Sequence, residues 1–143
     1  MKFLFVIGIV VLLIFMIDIS SKQDFSKMIV NGKEINLEVV KTLEDKRKGL
    51  SGRDSLDIDV GMLFLFEDSA IRSFWMKEMN FPIDILWIDE NREIVGIEES
   101  VSPNSFPQKF LSPKPVPFVV EVNGGWSREH KIKVGDTVEF DWR

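Results

Sequence analysis

From residue 27 onward, apolar and polar residues alternate along much of the chain, the two-residue period of strands with one buried face. Residues 27–30 and 33–41 flank Asn31-Gly32, a dipeptide that tolerates the positive φ angles of a tight hairpin turn. Ile35, Leu37 and Val39 alternate with polar neighbours, which predicts one wet face. Met62-Leu63-Phe64-Leu65-Phe66 is apolar at every position and predicts an interior strand. Residues 93–97, 116–122 and 137–141 are further strand candidates, with Glu121 on the face opposite Phe118 and Val120.

Residues 71–89 stand at the centre of this pattern. They read as two short apolar strands joined by a polar turn that ends at Pro82, with Lys77, Glu78 and Asp84 set among large rings. Between the strands, Thr42-Leu43-Glu44-Asp45 predicts a helix start, with aspartate in the usual place of glutamate or glutamine, and Gly49 predicts its end. A second short helix is expected from Asn123-Gly124-Gly125-Trp126 to about His130. Residues 102–117 hold five prolines and little periodicity, which predicts a long loop without ladder hydrogen bonds. The expected fold is mainly β: a compact barrel or sandwich-like domain with two short helices.

The N-terminus departs from that pattern. Residues 3–17 are an uncharged run of fifteen, close to the ~17–20 apolar residues that span a bilayer core. Residues 1–19 are therefore expected to be a hydrophobic helix acting as signal-anchor or signal peptide, residues 20–26 a linker, and residues 27–143 one β-rich domain. No A-x-A arrangement stands near Ser20 and Ser21, which favours an uncleaved anchor. Lys2 is the one charge before the run, which places the domain outside the cytoplasm, or in the medium if the segment is cleaved.

Charge and composition remove several chemistries. The net charge of −5 argues against a general nucleic-acid backbone binder. With no cysteine there is no thiolate catalysis, and with His130 as the single histidine no two-histidine metal site. Asp89-x-Asn91-x-Glu93 lacks the later Gly and Glu of a calcium loop and reads as a turn. No cofactor and no metal are expected.

Several motifs carry a family resemblance. In order they are Arg47-x-Gly49-Leu50, Arg53, Gly61-Met62-Leu63-Phe64, Phe74-Trp75-Met76-Lys77, Pro82-Ile83-Asp84-Ile85, Val120-Glu121-Val122-Asn123-x-Gly125 and Val134-Gly135-Asp136. Over about residues 35–140 the chain resembles the bacterial and archaeal family called domain of unknown function 192. The resemblance implies a compact, mostly β, often exported fold and no established activity. It also marks a departure, because Glu78-Met79 stands where Asn-Thr usually follows the lysine; Asn80 is positioned to take over part of that role.

The candidate ligand contacts are Arg47, Arg53, Trp75, Lys77, Asp84, Glu121, Asn123 and Trp126. Asp84 and Glu121 are acids in apolar strands, and each needs a partner because desolvating a carboxylate costs several kcal/mol. Asp84 either faces a ligand beside Lys77 or Arg72, or caps loop amides after Pro82. Glu121 either serves a site or pairs with Arg53 or Arg47. Arg47, Lys48, Arg53 and the Gly49–Gly52 turn can make an anion site or an ordinary turn. Trp75, Trp87 and Trp126 offer a stacking surface or core rings, Trp126 being the best placed for a groove.

The sequence names no reaction. The leading expectation is a membrane-tethered extracytoplasmic domain that binds a small polar or anionic ligand, an envelope polysaccharide or a partner protein. A second reading makes Asp84 and Glu121 the acid and base of a hydrolase or lyase, which requires both in one cleft. A third is a structural tether.

Overall fold

The computed structural model describes residues 24–142. The expected N-terminal hydrophobic helix, and the first residues of the expected linker, lie outside that range.

Nine strands alternate with two short helices. The strands are β1 (Asp24–Val30), β2 (Lys33–Val40), β3 (Val60–Ala70), β4 (Ser73–Phe74), β5 (Ile83–Ile88), β6 (Ile94–Val101), β7 (Phe110–Leu111), β8 (Val116–Asn123) and β9 (Glu139–Trp142). The helices are α1 (Leu43–Lys48) and α2 (Trp126–Glu129), with a 3₁₀ turn at Pro103–Ser105. Seven strands form one sheet in the order β6-β5-β8-β3-β2-β1-β9, and β4 pairs with β7 in a separate small sheet.

The large sheet is antiparallel except between β2 and β3. That parallel pair needs a crossover, which α1 and the loop after it supply. The expected barrel is not formed, because the sheet does not close. Its two ends touch where Ile94 N–H donates to the Asp136 carbonyl (2.9 Å), Gly135 N–H to that of Ile94 (2.8 Å) and Val138 N–H to that of Arg92 (2.9 Å).

Local chemistry explains the connections. Asn31 (φ 50°) and Gly32 (φ 73°) both take positive φ, so the β1–β2 hairpin has the expected turn. Thr42 caps α1 by accepting the Asp45 amide at 3.1 Å, and Gly49, with φ 49°, ends it. Gly61 allows a close approach: a Cβ there would sit 2.8 Å from the Glu121 carbonyl oxygen and 3.0 Å from Leu37 Cδ2.

Three expectations are corrected. Residues 24–26 belong to β1 rather than to a linker. The two apolar stretches of residues 71–89 do not pair with each other: β4 pairs with β7, and β5 with β6 and β8. The proline-rich loop is therefore anchored by β7, which lends it a short ladder. Asp89 does make a turn, accepting the amides of Asn91 and Glu93 at 2.9 and 3.0 Å.

Both faces of the large sheet are covered. One carries Leu37, Leu63, Leu86, Val120 and Phe140, with Trp126 of α2 packed against them. The other carries Met62, Phe64, Ile85, Trp87 and Val119, and is overlaid by Leu50, Leu56, Phe74 and Met76. The candidate site lies over this second face.

Candidate functional site

An open cleft of about 740 Å³ lies between α1 and the β4 segment. One wall is Leu43, Lys46, Arg47 and Lys48, continuing into Gly49–Ser51; the other is Ser73–Trp75, Lys77–Met79 and Lys109. Phe64, Phe66 and Glu121 close the bottom. Apolar rings thus form the body, and five cations stand around the acids Glu78 and Glu121.

Pairing of strands places Glu121. On β8 it stands directly between Met62 of β3 and Ile85 of β5, on the face that carries Val119 and Trp87. Its residue is 5% exposed, and no other described residue gives its carboxyl a hydrogen bond or ion pair. Burial with no compensating partner pushes the carboxyl up to about 8, so at pH 7 it is a neutral acid with a hydroxyl to donate.

Contacts among the lining residues and their immediate neighbours hold the walls. Ser51 Oγ donates to the Lys77 carbonyl at 2.8 Å and Gly52 N–H to that of Glu78 at 2.8 Å, clamping the two rim turns together. Asn80 Nδ2 adds a bond to the Arg53 carbonyl at 2.8 Å, a structural role at the place where the sequence departs from the Asn-Thr pattern. Phe66 lies between Lys46 Nζ (4.4 Å from the ring centre) and the Arg72 guanidinium (3.8 Å). Burial and the neighbouring Arg72 charge hold the Lys46 ammonium below its usual pKa. Phe74 meets Phe64 edge-on at 4.8 Å, which stiffens the apolar wall.

Half of the expected contacts meet here. Arg47, Trp75, Lys77 and Glu121 line the cleft. Trp75 is 46% exposed, rests on Phe106 at 5.3 Å and lies 5.7 Å from Lys77 Nζ.

The other four hold the fold. Arg53 makes a two-pronged pair with Glu38, at 2.9 and 2.7 Å, rather than meeting Glu121. Asn123 Nδ2 ties the Leu56 carbonyl at 2.9 Å. Trp126 is 3% exposed and faces His130 and the first core rather than a groove. Trp87 is likewise core.

Asp84 is fully buried on the opposite face of the sheet from Glu121, in register with Val122. Its Oδ1 accepts the amides of Ser100 (2.7 Å) and Gly125 (2.8 Å), and its Oδ2 that of Ser127 (2.8 Å). It caps the start of α2 and fixes the irregular end of β6, and the amides after Pro82 are not its partners. The cleft thus holds one of the two strand acids, and a shared acid–base pair of Asp84 and Glu121 is excluded by the pleat.

Among the charged lining residues, Lys46 and Lys109 were not singled out in the sequence. Lys46 sits in a charged run that reads as a solvated face. Lys109 arrives through the β4–β7 pairing, which no local pattern announces. Among the described residues no cluster of metal-ligating side chains occurs, and no helix is long and apolar enough to cross a membrane.

The model of domain of unknown function 192 (DUF192), described as an uncharacterised ACR, matches residues 26–140. The chain belongs to that family. No curated protein matches it. Among solved structures, DUF192 chain and a Sinorhizobium meliloti 1021 protein described as a candidate transcription regulator share 27% identity with a TM-score of 0.75, over 82% of this chain and 93% of that one. A protein of unknown function from Novosphingobium aromaticivorans gives the same identity and TM-score over 85% and 89%. The fold is therefore shared, and neither neighbour supplies a ligand for the DUF192 cleft.

Proposed function

We propose that this DUF192 chain is a binding domain for a small organic anion with an apolar body, tethered to a membrane by residues 1–19 with the domain outside the cytoplasm. The observation that carries the binding reading is Glu121, a buried carboxyl with no partner among the described residues, at the bottom of a cation-lined cleft. A largely covered carboxyl that faces a cleft and takes no partner among the described residues leaves its hydrogen bond to whatever fills the cleft, which supports the ligand reading. A volume of about 740 Å³ falls within the common range for small-molecule sites. The rings bury the ligand's body, while Arg47, Lys48, Lys77 and Lys109 meet its charge.

The tether reading is supported by the uncharged run at residues 3–17 and the basic Lys2 before it. Fractionation and protease shaving of intact cells test it; recovery of the chain in the soluble cytoplasm would end it. The binding reading is tested by calorimetry on the full-length chain in lipid nanodiscs, with empty nanodiscs as blank. Phenylalkanoates are expected to bind more tightly than the matching neutral amides, and Lys77→Ala with Arg47→Ala to weaken them. Equal binding of acid and amide would remove the anion-binding reading.

A further inference from the structure

We infer that the cleft selects organic acids that also carry a carbonyl, the acid group held at the cationic rim and the carbonyl oxygen taken by the carboxyl of Glu121. This rests on the anion-binding reading above and adds the chemistry of the ligand's inner end.

The groups are segregated by depth. The cations are on α1, on the rim turn and on the loop before β7; Arg47, Lys48, Lys77 and Lys109 are exposed there. The inner end is made of Phe64, Phe66, Phe74 and the Glu121 side chain, flanked by Met62 and Ile85 in register. A ligand's charged end has four exposed counter-ions at the rim. The cations beside the inner rings, Lys46 and Arg72, already lie over Phe66, and Arg72 is paired with Asp68, so the charge stays outside. What enters is a neutral body, and the polar atom waiting for it is a carboxylic acid.

That acid keeps its proton up to about pH 8 because of burial. A neutral carboxyl donates its O–H, and a ligand carbonyl is an acceptor without a proton of its own. The charged groups that line the cleft with Glu121 are Lys46, Arg47 and Lys48 of α1, Lys77 and Glu78 of the turn, and Lys109. Glu44 and Asp45 of α1, Glu67 and Asp68 of β3 and Asp84 of β5 lie outside its lining, and none of these groups bonds to Glu121. The hydrogen bond is therefore supplied by the ligand or, in its absence, by water in the open cleft.

Two probes of one shape separate the outcomes: 4-oxo-4-phenylbutanoate and 4-phenylbutanoate, titrated into the full-length chain in nanodiscs from pH 6.5 to 9.5. The oxo acid is expected to bind about fivefold to tenfold more tightly at pH 7, the worth of one hydrogen bond. Its advantage is expected to vanish above pH 8, where the carboxyl ionises and turns from donor to repelling acceptor. In Glu121→Gln the amide still donates, so the advantage persists to pH 9.5; in Glu121→Leu it is absent at every pH. The Gln variant also guards against loss of folding, since it replaces a neutral acid with a neutral amide. If both probes bind equally and lose affinity on Lys77→Ala, the carbonyl inference is wrong and the anion site stands. If neither binds, both fall.

Discussion

Glu121 and Asp84 began as the same signal, an acid inside a run of apolar strand residues, and the pleat gave them opposite fates. Asp84 is covered by three amides; Glu121 is covered by carbon and open on one side to a cleft. Their stabilities should respond accordingly. Asp84→Asn replaces one acceptor oxygen with an NH₂ group facing a buried amide, which is expected to cost about 3 kcal/mol in urea denaturation and to leave organic-acid affinity unchanged. An affinity loss matching the stability loss would return Asp84 to the list of ligand contacts.

For Glu121 the sign is set by its raised pKa. The folded chain keeps a proton that the unfolded chain loses above about 4.5, so folding takes up a proton between there and about 8. Wild-type stability therefore falls across that window relative to Glu121→Gln. The variant is expected to match the wild type near pH 4 and to exceed it by on the order of 5 kcal/mol at pH 8.5. A difference that stays constant with pH would show that the carboxyl is ionised in the fold.

At the scale of elements, the segment 71–89 shows what local pattern conveys and what it misses. Alternation located β5, an unbroken apolar run located the interior strand β3, and the turn and cap residues located the β1–β2 hairpin and α1. The pairing of β4 escaped, because its partner β7 lies beyond two intervening strands in a proline-rich stretch. That the sheet stays open rather than closing into a barrel escaped too, since this depends on how the end strands meet rather than on any residue's period. Half of the site was legible through acids and rings in unusual company; Lys109 came only with the tertiary pairing.

The same segment holds a local strain. Glu78 has φ 57°, a left-handed conformation that asparagine accepts more readily than glutamate. The Asn that the resembled pattern carries at this place fits that geometry. Glu78→Asn is expected to raise stability by about 1 kcal/mol in equilibrium denaturation. A destabilised variant would mean that the Glu78 side chain contributes more at the rim than its backbone strain costs.

Over the whole molecule, an acidic chain of net charge −5 presents a cleft in which Lys46, Arg47, Lys48, Lys77 and Lys109 face Glu78 and a neutral Glu121. The overall charge repels anions at long range, and the cleft attracts them at short range. Salt acts on the two differently: screening shortens from about 10 Å at 0.1 M to about 3 Å at 1 M. Because Arg47, Lys48, Lys77 and Lys109 are exposed, their attraction for a rim-bound carboxylate is screened within that range. Affinity for 4-phenylbutanoate is expected to fall several-fold between 0.05 and 0.5 M sodium chloride, while its neutral amide shows no such trend. Lys77→Ala should weaken the acid by about 0.5–1 kcal/mol at low salt and by less at high salt. Salt-independent binding of the acid would put its carboxylate among the buried rings instead, where only a proton shared with Glu121 could hold it, and would reverse the orientation derived from the depth of the charges.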